Sequence, residues 1–156
     1  MLKKLSQELT VTPIDVRSES DSPKSEIILH GKATGKIVPG VVLEAAIGWR
    51  EFYLLMLSDD IPYEDALNIH LLDQDLNLLD SATLGGIYTT GSFSSLTLNE
   101  PSRVGFRFIG DTDWVIELLP EPVFRMPFIS DPRGVGRRFG FSRHFKVHGT
   151  PQPELA

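Results

Sequence analysis

The feature that most constrains this chain is an alternation of apolar and polar side chains, which recurs in short segments from residue 26 onward. It is clearest at 104–109, where Val104, Phe106 and Phe108 share one face of an extended segment. Clusters of glycine, proline and aspartate separate such segments at intervals of about 8–12 residues. This spacing predicts an all-β, mainly antiparallel fold, either a single-domain β-sandwich or an open barrel.

Two pairs of segments predict β-hairpins. The first covers residues 67–84 and turns at Asp73-Gln74-Asp75, because aspartate side chains accept hydrogen bonds from nearby backbone amides. The second covers residues 104–118 and turns at 110–113. The long apolar and aromatic run at 49–57 predicts a buried strand, and 139–147 predicts the last strand.

Other segments leave alternatives open. Residues 41–47 are compatible with a strand or a helix, and Leu2, Leu5 and Leu9 have the spacing of a short N-terminal helix. Pro120 and Pro122 are expected to place any strand that carries them at a sheet edge. The predicted organisation is an N-terminal segment (1–25) that is partly mobile, a β-rich domain (26–148) and a C-terminal tail (149–156).

Composition bounds the chemistry and the location. The 156 residues include no cysteine, which excludes disulfides, thiolate nucleophiles and cysteine-bound zinc. The longest apolar region, 41–57, is interrupted by Glu44, Arg50 and Glu51, and the N-terminus has no apolar run of signal-peptide length. We therefore expect a cytoplasmic protein without a membrane segment.

Motifs for cofactors and metals are incomplete. The Gly31–Ile37 stretch has too short a loop for a phosphate-binding motif and lacks its final serine or threonine. The Asp73–Leu84 stretch has leucine where a calcium loop needs glutamate. His144 and His148 would lie about 13 Å apart on a strand, too far to share an ion. We expect no cofactor, no metal and no catalytic residues, and the sequence favours a non-enzymatic protein over an enzyme.

Charge is distributed unevenly along the sequence. From Glu51 to Glu121 there are thirteen acidic residues against two arginines, whereas Phe124 to His148 carries six basic residues against one aspartate. Such asymmetry bears on partners and solubility and not on the fold. It leaves one structural question open, namely whether the two segments neutralise each other or form separate faces.

The leading hypothesis is a non-enzymatic protein-interaction module. An acidic face would bind a basic protein of unknown identity, as a small bacterial inhibitor or antitoxin-like protein does, because complementary charge speeds encounter. The residues proposed for this face come from the loop after residue 58 and from the hairpin turn: Asp59, Asp60, Tyr63, Glu64, Asp65, Asp73 and Asp75.

Two alternatives remain. One is an enzymatic or small-ligand-binding β domain with a pocket near residues 59–70, in which His70 joins the acidic loop. The other is nucleic-acid binding through a basic patch, which the overall acidity disfavours. The basic patch comprises Arg133, Arg137, Arg138, Arg143 and Lys146. A homo-oligomer is compatible with all three.

Overall fold

The computed structural model describes residues 1–14, 23–60, 66–85, 92–109, 112–124, 135–137 and 142–149. All regular structure in these ranges is β-strand, as the alternation predicts. The strands are β1 (Leu2–Lys4), β2 (Leu9–Pro13), β3 (Lys24–Leu29), β4 (Lys32–Pro39), β5 (Val42–Trp49), β6 (Phe52–Ser58), β7 (Ala66–Leu72), β8 (Leu78–Gly85), β9 (Ser94–Asn99), β10 (Arg103–Arg107), β11 (Asp113–Phe124), β12 (Val135–Arg137) and β13 (Ser142–Gly149).

In the described ranges, the strands form three antiparallel sheets, none of which closes into a barrel. A six-stranded sheet has the order β1-β5-β6-β7-β8-β12. A four-stranded sheet has the order β13-β11-β10-β9, and a three-stranded sheet has the order β2-β3-β4. The fold is therefore all-β, antiparallel and β-sandwich-like.

The six-stranded sheet is the middle layer, and we call it the central sheet. Leu54 and Met56 of β6 belong to a core shared with the four-stranded sheet, while Leu55 and Leu57 belong to a second core shared with the three-stranded sheet. Successive side chains of a strand point to opposite faces, so β6 is apolar and aromatic from Phe52 to Leu57 because both of its faces are covered. This arrangement explains most of the apolar run at 49–57.

Both predicted hairpins are confirmed. β7 pairs with β8 from Ala66↔Gly85 to Leu72↔Leu78, and β10 pairs with β11 from Arg103↔Glu117 to Arg107↔Asp113. Residues 42–49 form a strand, which settles the alternative between strand and helix. Of the last predicted strand, residues 142–147 lie in β13, and 139–141 fall outside the described residues.

The prolines of β11 lie in a part of the strand that forms a sheet edge, where proline is tolerated. β11 continues through Pro120 and Pro122, but its pairing with β10 ends at Glu117. Beyond that residue, β13 is the only described strand that pairs with β11, with a register shift between Leu118 and Val123. One side of this part of β11 is therefore an edge, where a missing backbone donor breaks no ladder.

The expected N-terminal helix is wrong. Leu2 is buried in the core with the four-stranded sheet, whereas Leu5 and Leu9 are buried in the core with the three-stranded sheet. The three leucines therefore serve two layers and not one helical stripe. A helix of this length would be marginal, and pairing of β1 with β5 satisfies the backbone instead.

The proposed boundary at residue 25 does not separate the first strands from the rest. β1 pairs with β5, and β2 pairs with β3, so both belong to the sheets that carry the two cores. Residues 15–22 and 150–156, which the sequence assigns to mobile or tail segments, fall outside the described residues.

Candidate functional site

Asp73 and Asp75 lie in the turn between β7 and β8. Asp73 Oδ1 accepts hydrogen bonds from the backbone amides of Asn77 and Asp75, both at 2.9 Å, and Oδ2 accepts from Asn77 Nδ2 at 3.2 Å. The Asn77 amide above all holds the pKa of the exposed Asp73 carboxyl below its usual value. The Asp73 carboxylate therefore closes the turn.

Asp59 and Asp60 lie at the opposite end of the central sheet. They follow Ser58, which pairs with Leu67 near the beginning of β7, whereas Asp73 follows the end of β7. Seven strand residues separate the two ends by about 20 Å. The structure therefore does not bring the two predicted acidic elements together into one face. Tyr63, Glu64 and Asp65 fall outside the described residues.

Asp59 takes part in a local polar cluster beneath the three-stranded sheet. Its Oδ1 accepts a hydrogen bond of 2.7 Å from Asn68 Nδ2, which also donates to the Leu57 carbonyl at 3.1 Å. On the same side, Ser25 Oγ donates to the Gly40 carbonyl at 2.7 Å. The Ser25 bond holds Gly40, in the crossover from β4 to β5, to the three-stranded sheet, and the Asn68 bonds join the end of β6 to β7.

Two residues of the basic patch, Arg143 and Lys146, lie beside acidic side chains. Asp80, only 2% exposed, lies 3.9 Å from Arg143 Nη1 and accepts the His144 amide at 2.9 Å. Arg137 lies on β12, which pairs with β8, and the exposed Lys146 stands opposite Glu117 in the ladder between β13 and β11. Arg133 and Arg138 fall outside the described residues.

Two further side chains lie beside Glu117. His148 Nε2 lies 3.0 Å from its Oε1, and Arg103 Nη2 lies 3.9 Å from its Oε2. The hydrogen bond from His148 is the main reason that the pKa of Glu117 is lowered. The described side chains Arg143 and Lys146 of the positive segment thus lie beside Asp80 and Glu117 of the negative segment.

His70, a candidate for the alternative ligand pocket, is 4% exposed beneath the three-stranded sheet. Its Nε2 lies 3.2 Å from the Pro39 carbonyl, and its Nδ1 is buried without a hydrogen-bond partner. Burial lowers the pKa of His70 because the cation would be desolvated. A neutral imidazole that donates to Pro39 accounts for this geometry and completes the crossover cluster.

His70 gives the protein a predicted pH dependence. An unfolded histidine takes up a proton near pH 6.5, whereas the folded His70 does so only at lower pH. Its contribution to stability is therefore complete above about pH 6.5 and is lost as the pH falls toward the folded pKa. Between pH 7.5 and 5, His70→Gln should lose less unfolding free energy than the wild type in urea denaturation. The exposed His30→Asn is the control, and equal losses in all three proteins would contradict the assignment.

A groove of about 640 Å³ opens where edges of all three sheets meet. β5 forms the floor of the groove, and the end of β1 forms one end. β2 of the three-stranded sheet forms one wall, and Leu96 of β9, in the four-stranded sheet, forms the other. The groove is lined by residues 4–6, 9–11 and 41–46 and by Leu96. The sequence analysis identified none of these residues as a site.

The floor of the groove is an open strand edge. β1 pairs only with Ile47, Gly48 and Trp49 of β5, and the Leu5 amide then donates to the Ala46 carbonyl at 2.8 Å. The chain turns away at 5–8 and enters β2. Val42–Ala45 therefore extends beyond β1, with no further strand beside that edge among the described residues.

The groove has a charged residue toward each end. Lys4 stands where β1 ends, and Glu44 lies farther along β5, at a β-bulge between Leu43 and Ala45. Glu44 Oε1 accepts a hydrogen bond of 3.1 Å from Ser58 Oγ. Because Ser58 pairs with Val42, the Glu44 end of the groove is also the end of the central sheet that carries Asp59 and Asp60.

Two further observations concern the described ranges alone. They contain no group of three or more histidine, aspartate or glutamate side chains that could hold a metal ion. In the same ranges, no helix has the length and apolarity needed to cross a membrane. Comparison of the chain with protein-family models, curated proteins and solved structures finds no match, so function is inferred from the geometry.

Proposed function

We propose that this protein is a non-enzymatic protein-interaction module that binds a segment of a partner protein in the groove along β5. The observation that supports this proposal is the walled, open edge of Val42–Ala45. Unpaired strand edges present backbone donors and acceptors in a row, and extended peptides bind to proteins by adding a strand there.

Apolar exposure at the same edge supports the proposal. Val42 is 38% exposed, and the adjoining Val41 and Leu43 are half-buried. Proteins commonly protect a free edge with lysine, proline or a covering loop. The β-bulge at Glu44 bends this edge, but its side chains at 41–43 are aliphatic.

The structure changes which residues we propose for partner binding. Asp73 is used in its own turn, and Asp59 and Asp60 lie near only one end of the groove. A uniformly basic partner on one broad acidic face is therefore a weaker proposal than a segment bound in the groove. Asp59 and Asp60 retain a part in it, since they lie beside the Glu44 end.

Photocrosslinking tests this proposal. A photoreactive benzoylphenylalanine at Val42 is expected to capture a discrete partner protein in cells of the native host. The same residue at Leu78, which is also 38% exposed but lies in β8, is the matched control and should capture none. Equal capture at both positions, or no capture at Val42, would overturn the proposal.

A further inference from the structure

A second cavity, of about 290 Å³, lies on the face of the central sheet that is turned toward the three-stranded sheet. Its floor is a cross-strand row in which Gly48 of β5 stands between Lys3 of β1 and Tyr53 of β6. Leu5 bounds one end of the cavity, and the turn between β5 and β6, residues 50–51, closes the other. We propose that this cavity binds a small planar carboxylate, with its ring over Gly48 and its charge beside Lys3. The site does not depend on the proposed function, although Leu5 also lines the groove.

The register of the three strands places the row on this face. Leu2 and Trp49 belong to the core with the four-stranded sheet. Successive residues of a strand alternate between the two faces, so Lys3 and Gly48 face the other way. Tyr53 packs on the core with the three-stranded sheet and is therefore on the same face as Gly48. Since neighbouring strands lie about 4.8 Å apart, the backbones that carry Lys3 and Tyr53 flank a gap about 10 Å wide.

Neither the backbone nor the described packing around β5 requires glycine at position 48. Gly48 does not have a positive φ, and it pairs directly with Lys3 on one side and Tyr53 on the other. An added Cβ would lie 3.4 Å from Leu5 Cδ2, which is an ordinary contact. Glycine inside a strand weakens the strand, and it often marks a place where a ligand approaches the backbone closely. The absent side chain therefore serves the cavity.

The rim of the cavity carries hydrogen-bond donors. Lys3 is 69% exposed, and its ion pair with Glu8, at 3.7 Å, is of the exposed kind that contributes little, so its ammonium is able to turn to a ligand. The Tyr53 hydroxyl and the side-chain amide of Gln74, from the turn between β7 and β8, add two further donors. An ammonium, a phenol and an amide together suit a carboxylate, which accepts hydrogen bonds only.

The charged residues of the turn orient the ligand. Glu51 lines the end that the turn closes, which directs the ligand's carboxylate away from that end and toward Lys3. The Arg50 guanidinium lies over the Trp49 ring, 4.8 Å from its centroid, so we assign it no part in holding the ligand's charge.

The size of the cavity and its aromatic neighbour select the body of the ligand. A water molecule takes up about 30 Å³ of liquid, so 290 Å³ accommodates about ten non-hydrogen atoms. The gap left by a single absent side chain is narrow, and Tyr53 flanks it. A flat ring fits beside an aromatic side chain in such a gap better than a puckered ring does. Benzoate has the required size, shape and charge.

Titration of the full chain with benzoate, followed through the backbone amide signals in NMR, tests the assignment. We expect saturable shifts at residues 48–53 and at Leu5, with a Kd of about 1 mM, because so small a ligand makes few contacts. Benzamide keeps the shape of benzoate without its charge, and cyclohexanecarboxylate keeps the charge without the flat ring. Each of these two comparators should bind about tenfold more weakly.

Gly48→Ala separates binding from folding. Its methyl group occupies the floor and should weaken benzoate binding about tenfold. The urea midpoint should not fall, because alanine fits the site and lowers the entropy of the unfolded chain. The control is Gly31→Ala, in the turn between β3 and β4, where an added Cβ meets nothing within 4 Å. This control should bind benzoate as the wild type does.

Lys3→Gln tests the charge and should weaken benzoate binding about tenfold. Lys4→Gln changes the next residue of β1, which pairs with Ile47 and faces the other side of the central sheet, and should leave binding unchanged. No saturable binding of benzoate, equal binding of either comparator, or equal effects of the two lysine variants overturns the proposal. Wild-type binding by Gly48→Ala, or a lowered urea midpoint of that variant, also overturns it.

Discussion

Gly40→Ala is expected to lower the free energy of unfolding by about 3 kcal/mol or more, because it combines backbone strain with a steric clash. Gly40 has φ +109°, which side chains rarely adopt, at the crossover from β4 to β5. An added Cβ would lie 2.4 Å from Leu57 Cβ and 3.2 Å from the Leu57 carbonyl. Relief requires moving the crossover away from the central sheet and so disturbs the contacts of Ser25 and His70.

The matched control is Gly35→Ala. Gly35 also has a positive φ, +76°, but an added Cβ there would meet nothing within 4 Å. Only the backbone cost remains, so we expect a loss of about 1 kcal/mol. Urea denaturation of both variants measures the difference. Similar losses at the two positions would show that the crossover is not packed as described.

Asp80→Ala is expected to have the second large effect, a loss of about 3 kcal/mol or more. The change removes a buried acceptor from the amides of Ser81, at 2.8 Å, and His144, at 2.9 Å. It also leaves Arg143, whose side chain is only 14% exposed, without a carboxylate that lies 3.9 Å away. Breaking a buried pair from one side is costly because the remaining charge stays desolvated.

Asp113→Ala is the control for that experiment. Asp113 pairs with Arg107 at 3.0 Å, a shorter distance, but the two side chains are 72% and 44% exposed. Exposed pairs contribute about 0–1 kcal/mol, so a loss within that range is expected. If thermal or urea denaturation gave equal losses for the two aspartates, Asp80 would not connect β8 to β13 as the structure indicates.

The strands could be predicted from the sequence because burial imposes a two-residue period. Val104 and Phe106 lie toward the core and alternate with neighbours on the other face, so the pattern in the sequence is the pattern in the sheet. The turn at Asp73 was equally predictable, since its side chain bonds to amides within four residues. Local patterns therefore determine the strands and the tight turns of this chain.

The layer order could not be predicted in the same way. Leu2 and Leu5 have helical spacing, yet they enter different cores because the chain turns from the central sheet toward the three-stranded sheet after β1. Which layer receives a leucine depends on pairing with β5, more than forty residues away. The spacing of leucines within a short segment carries no information about such distant pairing partners.

The candidate site was beyond prediction for a similar reason. The acidic residues that the sequence suggests for partner binding lie at both ends of the central sheet. Successive loops of an antiparallel sheet lie at opposite ends of its strands. The groove exists because β1 stops at Lys4 and leaves Val42–Ala45 beyond it. Aliphatic residues at 41–43 on an edge are the one sequence signal, and it is readable only once the strand order is known.

Amide hydrogen exchange with and without a capped, extended peptide of alternating threonine and valine tests most directly whether the edge of β5 binds an added strand. We expect the peptide to slow exchange within Val42–Ala45 and to leave the outer edge of β9, Ser94–Asn99, unchanged. Protection confined to other strands, or unchanged exchange at Val42–Ala45 under saturating peptide, would contradict it.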